Sequence, residues 1–370
     1  MRVVSADCHV NEPPWVFDRV PAEFKDRTPK LVRGPDGGDG WSFDGGPPRR
    51  TFGVEAVAGR TPEDGLSGLR FDDILPGNYD GAAHVQDMAL DGVDASVVYP
   101  ANAIFVYIEP DRELALACLR SYNDWVIDEF QGAASDHIVG LPMLPVDDGM
   151  DVCLAEVDRV VAKGARGLFI PGNPVTPYNA PYYDPLWAAA AERGVPVTFH
   201  RTFGGKPAEA DWAELVNQQV TAAGTAYRFF SAVRPLTYMV FSGVFDRHPD
   251  LRMVAGEVNC GWVPFWAQTV DQEFENPWYR ATGGITIERA PSEYLGENVF
   301  VTVLDDDIGF ELMAQGWPRL AETCMFSTDY PHSVTLWPNS RSHIERLTKK
   351  LSDADRDLVL SGNAARVYGI

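Results

Sequence analysis

The chain has 370 residues, and its 31 basic and 53 acidic side chains give a formal net charge of −22 at pH 7. This acidic balance argues against nucleic acids and anionic membranes as partners, because both require a positively charged surface. A hydrophobic content of 45% is enough for one large core, and barrel proteins of this length commonly form a single domain. A carboxylate ligand would need a local cation, such as a metal ion or an arginine.

Short β-branched runs alternate with helical stretches along the chain, as expected for a parallel sheet covered by helices. Eight is the strand number of a (β/α)₈ barrel. We therefore predict an α/β fold with one barrel domain over residues 1–370. The eight predicted strands are 3–7, 95–100, 138–143, 166–170, 196–200, 252–257, 299–303 and 324–328.

Crossover helices are predicted over residues 111–135, 147–163 and 183–193 from their helical spacing of apolar residues. The first opens on an aspartate that can cap it, and the third stops at Gly194. Near the end of the chain, Ser352 begins a capping-box-like start of a further helix.

Two segments interrupt this alternation. Residues 33–70 are rich in glycine and proline, so they are predicted to form an irregular insertion after the first strand. A loop in that position would lie over the barrel mouth as a lid or as an arm between subunits. Residues 201–240 form a second extension after the fifth strand, with a predicted helix over 217–234.

The five cysteines and the start of the chain bear on the cellular compartment. The cysteines are scattered and contain no C-x-x-C pair, so we expect reduced thiols without a disulfide framework or a structural zinc site. The first residues, MRVVSADCHV, lack the basic region and the long apolar region of a signal peptide. No later stretch approaches the ~18 uninterrupted apolar residues of a membrane span. These features predict a soluble cytoplasmic protein.

Side chains that can bind a metal stand at the carboxyl ends of three predicted strands, where barrel enzymes have their active sites. Asp7 and His9 follow the first strand and point to the same side, because side chains alternate along a strand. His200 ends the fifth strand and Asp329 follows the eighth. Two carboxylates and two imidazoles suit one divalent ion, with zinc expected first and manganese or iron as alternatives.

Each of these residues has a structural alternative when taken alone. An Asp-x-His pair is common by chance. His200 could be a barrel histidine with satisfied hydrogen bonds, and Asp329 could be a turn residue before Pro331. The metal hypothesis depends on four ligand-type residues falling together at three strand ends.

Five segments resemble the amidohydrolase superfamily, in particular the amidohydrolase-2 branch that includes aminocarboxymuconate-semialdehyde decarboxylase and related aromatic-acid decarboxylases. They are SADCHVNEP at 5–13, FHRTFGG at 199–205, HPDLRMVAGEVNCGWVPFW at 248–266, STDYPH at 327–332 and GNAARVYGI at 362–370. The resemblance spans essentially the whole chain. It implies a distorted (β/α)₈ barrel, a homodimer and a single divalent metal ion. The metal ligands it implies are Asp7, His9, His200 and Asp329. Asp7 stands where the branch varies, so its alternative is a place behind the direct ligands.

The chain departs from this branch after the sixth strand. Decarboxylases of the branch carry a histidine there in an A-H-x-G-G-like segment, whereas this chain has AGEVNCGW with Glu257 at that place. A carboxyl group can also transfer protons when its surroundings tune its pKa. His332, three residues after Asp329, is a second candidate base, with a structural role as its alternative.

Three residues are candidates for contact with a small-molecule substrate. Arg201 follows a predicted ligand and could bind a substrate anion, or it could be an exposed loop arginine. Glu12 could contact substrate or tie down the amino-terminal loop. Trp262 could wall an apolar pocket or pack the next helix against the barrel.

Three functions are compatible with these residues. The resemblance favours decarboxylation of a small hydroxylated or unsaturated carboxylic acid, with Glu257 or His332 transferring a proton. The alternative is a hydrolase of an amide, imide or lactone, or a hydratase, in which Asp329 accepts a proton from water. A barrel that binds metal without catalysis is the third.

Overall fold

A computed structural model describes residues 1–48, 50–61, 63, 67–200 and 226–370. Within these residues no helix is long and apolar enough to cross a membrane. All eight predicted barrel strands are present, and their bounds differ from the predicted ones by a few residues. Together with a short hairpin, β2 and β3, the strands are β1 (Val4–His9), β2 (Lys30–Arg33), β3 (Asp39–Ser42), β4 (Ala95–Tyr99), β5 (Ile138–Gly140), β6 (Leu168–Pro171), β7 (Val197–His200), β8 (Met253–Gly256), β9 (Val299–Val303) and β10 (Cys324–Phe326).

The barrel strands form two parallel sheets, in the orders β1-β4-β5 and β10-β9-β8-β7-β6. Individual hydrogen bonds join the sheets at both edges. The Leu144 N–H donates to the Phe169 carbonyl at 2.9 Å, and the Asp329 N–H donates to the Asp7 carbonyl at 3.0 Å. The second of these seams brings two of the predicted metal ligands together. β4 and β9 are buried at every position, as expected for strands covered on both faces.

Helices follow the strands along the chain, as the alternation predicts. Several short helices and turns supplement them, including two π-helical turns at Val126–Gln131 and Leu358–Gly362. The α-helices are α1 (Gly81–Asp91), α2 (Arg112–Trp125), α3 (Met150–Ala162), α4 (Asp184–Arg193), α5 (Val233–Phe241), α6 (Val244–Arg247), α7 (Val263–Glu275), α8 (Pro277–Ala281), α9 (Asp307–Ala314), α10 (Leu320–Thr323), α11 (Ser340–Thr348), α12 (Asp353–Asp357) and α13 (Asn363–Tyr368).

The predicted helix boundaries rest on capping groups that the structure contains. The Asp111 side chain accepts a hydrogen bond from the Leu114 N–H at the start of α2. Gly194 ends α4 in the left-handed conformation, with φ 63°. The Ser352 side chain caps α12. These three predictions are confirmed, whereas the first half of the helix predicted over 217–234, residues 217–225, lies outside the described residues.

The insertion over residues 33–70 is more regular than predicted. It begins at the last residue of β2 and contains the turn and the second strand of the antiparallel hairpin β2-β3. Phe52 also pairs with Leu69 in an isolated antiparallel bridge. Gly37 adopts φ 85° in the turn of the hairpin, a conformation that glycine tolerates without steric cost. The glycines that indicated a break in regular structure therefore include one that makes a hairpin turn.

A buried carboxylate on α3 links two helices outside the barrel. Glu156 is completely buried. It accepts hydrogen bonds from Arg120 Nε at 3.1 Å, from Arg159 Nη2 at 2.7 Å and from Asn123 Nδ2 at 2.7 Å. A buried charge with three donors is stable only while those donors remain in place.

We predict that Glu156→Gln lowers the free energy of unfolding by about 1.5–3 kcal/mol, the usual worth of a hydrogen bond to a charged group. The matched control is Asp158→Asn on the same helix, because Asp158 is exposed and pairs only with Arg193 among the described residues. Loss of this ion pair should change the free energy of unfolding by about 0–1 kcal/mol. Equal effects in urea denaturation would contradict a special role for Glu156.

Candidate metal centre

His9 lies at the centre of a cluster of titratable side chains at the barrel mouth. Its Nε2 atom is 3.4 Å from Asp7 Oδ1 and 3.2 Å from Asp329 Oδ1. Its ring centroid is 4.9 Å from that of His200. Asp7 and His9 stand two residues apart on β1, which directs both side chains to one side of the strand. The structure therefore brings together all four side chains that the sequence predicts as ligands.

Backbone hydrogen bonds across the seam between β1 and the end of β10 hold three of these residues in register. The Asp329 N–H donates to the Asp7 carbonyl at 3.0 Å, and the His9 N–H donates to the Tyr330 carbonyl at 2.7 Å. Asp329 itself has φ 49°, a left-handed conformation that costs a non-glycine residue about 1–3 kcal/mol. The seam therefore fixes the position of Asp329 through its backbone.

Glu257 directly follows β8 and contacts His200. The Glu257 Oε2 atom is 3.3 Å from His200 Nε2, and the Glu257 side chain is almost completely buried. Glu257 has φ 55° and Asn259 has φ 53°. Two strained residues in one short turn indicate that the surrounding structure imposes the position of Glu257.

His332 contacts the cluster from the loop after β10. Its Nδ1 atom is 3.2 Å from Asp329 Oδ1, and its ring stacks on that of His9 with centroids 3.9 Å apart. Its backbone N–H also donates to the Asp329 carbonyl at 2.8 Å. These contacts allow His332 to orient Asp329, which is the usual function of a residue behind a metal ligand.

The charges of the cluster are strongly coupled. Burial raises the pKa of Asp7, while His9 opposes the rise. Burial disfavours a charged His9, but Asp329 and Asp7 outweigh it and raise the pKa of His9 to about 10. Burial is likewise outweighed at Asp329, where His332 and His9 hold the pKa well below its ordinary value. Two buried carboxylates around one imidazole therefore require a positive charge between them.

The donor atoms fit a divalent metal ion. Asp7 Oδ1, both ring nitrogens of His9 and both Asp329 oxygens are buried and make no hydrogen bond within the described part of the chain. The ligand atoms of Asp7, His9 and His200 lie within 4.8 Å of one another, and so do those of His9, Asp329 and His332. Carboxylate oxygens and imidazole nitrogens suit zinc and similar ions. The cluster is therefore a candidate site for a divalent metal ion.

Two residues outside the predicted set, Gly256 and Thr302, shape this site. Gly256 leaves room for it, because a Cβ atom there would lie 2.8 Å from the His200 ring, 3.0 Å from Tyr99 and 3.2 Å from Asp7 Oδ2. Thr302 donates a hydrogen bond to Asp7 Oδ2 at 2.9 Å. In the sequence, Gly256 is distinguished only as a glycine beside Glu257, and Thr302 only as the single polar residue within VFVTV. Neither feature shows which residues lie nearby in the folded chain.

Glu12, a candidate for substrate contact or for tying down a loop, binds backbone groups in the structure. Its two carboxylate oxygens accept hydrogen bonds from the backbone N–H groups of Ala101 and Asn102, at 2.9 Å and 2.8 Å. The side chain is almost completely buried. Glu12 therefore ties down the loop after β4, which agrees with the structural alternative for this residue.

The other two candidates for substrate contact are not brought into the cluster by the described contacts. Trp262 Nε1 donates a hydrogen bond to the Val258 carbonyl at 2.9 Å. The Trp262 and Trp266 rings pack edge to face, with their centroids 6.0 Å apart. These contacts agree with the packing alternative for Trp262. Arg201 lies outside the described residues.

Comparison with known sequences extends this description. A family model described as amidohydrolase matches residues 6–370. The gamma-resorcylate decarboxylase of Rhodococcus jostii (strain RHA1) is 28% identical over 305 residues, which cover 77% of this chain and 87% of that protein. A gamma-resorcylate decarboxylase of Rhizobium sp. (strain MTP-10005) is 27% identical over 302 residues, with the same coverage of both proteins.

Solved structures share the fold over the whole chain. An amidohydrolase from Mycobacterium avium subsp. paratuberculosis K-10 matches with a TM-score of 0.79 at 21% identity, over 100% of this chain and 98% of that one. The 5-carboxyvanillate decarboxylase of Sphingomonas paucimobilis has a TM-score of 0.67 at 20% identity, over 100% and 99%. The dihydroxybenzoic acid decarboxylase of Polaromonas sp. JS666, with bound manganese, has a TM-score of 0.65 at 17% identity. This match covers 100% of this chain and 97% of that one. Because the family model covers residues 6–370, the chain belongs to the amidohydrolase family.

Proposed function

We propose that this protein is a metal-dependent decarboxylase of a small hydroxylated aromatic acid. The observation that carries the proposal is the buried carboxyl group of Glu257, 3.3 Å from His200 at the edge of the metal site. It puts a proton donor beside the position where a metal ion would hold a carboxylate. The gamma-resorcylate decarboxylases that match 77% of the chain support this class of substrate.

In this proposal Asp7, His9, His200 and Asp329 hold the metal, and His332 keeps Asp329 in place. A bound divalent ion would supply positive charge that holds the substrate carboxylate and a neighbouring oxygen. Asp7 is a direct ligand in the proposal because its buried Oδ1 makes no hydrogen bond within the described residues. Histidine ligands must be neutral to bind a metal, so the ion would replace the proton that Asp7 and Asp329 otherwise favour on His9.

Glu257 supplies the proton in the proposed reaction. Its carboxyl group donates a proton to the ring carbon that bears the substrate carboxylate. The bond between this carbon and the carboxylate then breaks, its electron pair restores the aromatic ring, and carbon dioxide leaves. The Glu257 carboxylate regains a proton from solvent. Each turnover therefore consumes one proton at the ring carbon and returns Glu257 to its starting state.

Several finer features belong to the same proposal. The ligand set suits zinc or manganese, and the Polaromonas neighbour with bound manganese supports the second. The five cysteines are all buried and unpaired, which supports a reducing compartment such as the cytoplasm. A homodimer follows from the family resemblance. Arg201 and Trp262 remain the proposed contacts of the substrate.

Metal removal tests the function directly. We expect dialysis against a chelator to abolish carbon dioxide release from a panel of hydroxybenzoic acids, and added manganese or zinc to restore it. Titratable acid from imides or lactones, without carbon dioxide release, would instead support the hydrolase. A protein that binds the metal stoichiometrically and turns over neither panel would support the non-catalytic alternative.

Glu257→Gln should lower kcat by about 10²–10⁴-fold, the usual contribution of a positioned acid or base. Metal content should stay the same, because Glu257 is not a proposed ligand. Glu257→His should recover part of the activity, since it restores an ionisable group at this place. The matched control is Glu275→Gln on α7, where the side chain is 72% exposed. Full activity in Glu257→Gln would refute the proton-transfer role.

Gly256→Ala should weaken metal binding, because the added Cβ would lie 2.8 Å from the His200 ring and 3.2 Å from Asp7 Oδ2. Either ligand must move, and displaced ligands bind metal less tightly. Gly284→Ala is the control for introducing alanine at a glycine, since its Cβ would make only ordinary contacts, the nearest at 3.4 Å. Metal titration with a competing chelator measures the metal affinity of both variants. Unchanged metal affinity in Gly256→Ala would show that the site tolerates the displacement.

A further inference from the structure

Thr302 is the one polar residue of β9, whose sequence is VFVTV. Its side chain is completely buried. The hydroxyl oxygen accepts a hydrogen bond from the Glu257 N–H at 2.6 Å, and the hydroxyl donates to Asp7 Oδ2 at 2.9 Å. One hydroxyl therefore contacts both a proposed metal ligand and the proposed proton donor.

The direction of these two bonds is determined by chemistry. A backbone N–H can only donate, and a carboxylate can only accept. The single hydroxyl proton must therefore point to Asp7, while a lone pair receives the Glu257 N–H. Hydrogen bonds arranged in this sequence polarise and strengthen one another.

At the Asp7 end, the hydroxyl determines which oxygen remains for the metal. Asp7 Oδ2 is occupied by Thr302, whereas Asp7 Oδ1 makes no hydrogen bond among the described residues and lies 3.4 Å from His9 Nε2. The β-branched side chain of Thr302 has few rotamers. It therefore holds the carboxylate of Asp7 in one orientation, with Oδ1 turned to the cluster.

At the Glu257 end, Thr302 supports a strained turn. Glu257 and Asn259 both have positive φ, at 55° and 53°. The Thr302 hydroxyl accepts a hydrogen bond from the Glu257 N–H, and the Thr302 carbonyl accepts one from the Asn259 N–H at 3.1 Å. Both strained residues are thus tied to the same residue of β9.

We propose that Thr302 is a positioning residue that sets the metal-binding oxygen of Asp7 and at the same time holds Glu257 in its strained conformation. The inference rests on the proposed metal ligands, and its Glu257 part rests on the proposed reaction. Metal affinity and proton transfer would then depend on one hydroxyl group. A merely structural threonine would affect folding stability alone.

The test compares variants that keep or remove the hydroxyl group. Thr302→Val keeps the shape and Thr302→Ala introduces no new bulk, but both lack the hydroxyl, whereas Thr302→Ser retains it. With manganese alone as the probe, we expect both hydroxyl-free variants to lose about 10–100-fold in affinity against a competing chelator, the usual effect of removing a partner of a metal ligand. Thr302→Ser should keep most of the affinity.

Thr198→Val is the matched control. Thr198 is also a completely buried threonine of a barrel strand, and its hydroxyl bonds to the Tyr368 hydroxyl at 2.9 Å. It should lower thermal stability without changing manganese affinity. At saturating manganese, Thr302→Val should still have a lower kcat with little change in KM, because Glu257 has lost its support.

The outcomes separate the two proposals. Unchanged manganese affinity in folded Thr302→Val or Thr302→Ala overturns the role at Asp7, and a kcat equal to that of the wild type at saturating manganese overturns the role at Glu257. If neither hydroxyl-free variant folds with manganese present, Thr302 is a folding determinant and the inference is wrong. If the wild type releases no carbon dioxide from any acid while Thr302→Val still loses metal, only the decarboxylase proposal fails.

Discussion

Two buried carboxylates that face one imidazole are the constraint on which the site depends. Asp7 and Asp329 both lie within 3.4 Å of His9 Nε2, and neither carboxylate is exposed to solvent. Removing such charges from water is costly unless a positive charge compensates them. The compensating charge can be a proton on His9 or a metal ion among the four ligands. The barrel places this arrangement at the carboxyl ends of its strands, where substrate can reach it.

The seam between β1 and β10 explains how the fold maintains this arrangement. Hydrogen bonds between the strands alone would fix the strands but not the positions of the residues that follow them. Here the Asp329 N–H binds the Asp7 carbonyl and the His9 N–H binds the Tyr330 carbonyl, so the ligand-bearing segments are tied to each other. The cost of the left-handed conformations at Asp329 and Glu257 is offset by these local bonds and by Thr302. Strain at functional residues persists only where the surroundings determine it in this way.

The sequence predicted the eight strands because each is a short apolar run between turn signals, and it predicted the ligands because they end those runs. It could not predict the function of Glu12, since only the folded chain shows that Ala101 and Asn102 occupy both carboxylate oxygens. Gly256 and Thr302 were missed for a related reason. A glycine and a threonine in a strand are ordinary residues until their neighbours in space are known, and here those neighbours are proposed metal ligands. The hairpin β2-β3 was missed because glycine in a turn and glycine in an irregular loop look alike in sequence.

The replacement of the expected histidine by Glu257 changes the charge balance of the proposed reaction. Asp7 and Asp329 together carry two negative charges, which a divalent ion neutralises. An ionised Glu257 would add a third negative charge beside the position of an anionic substrate, and a neutral histidine would not. The chain's net charge of −22 adds to the repulsion at long range. In the proposed reaction, therefore, Glu257 must carry its proton when an anionic substrate binds, and this is the proton that the ring carbon then receives.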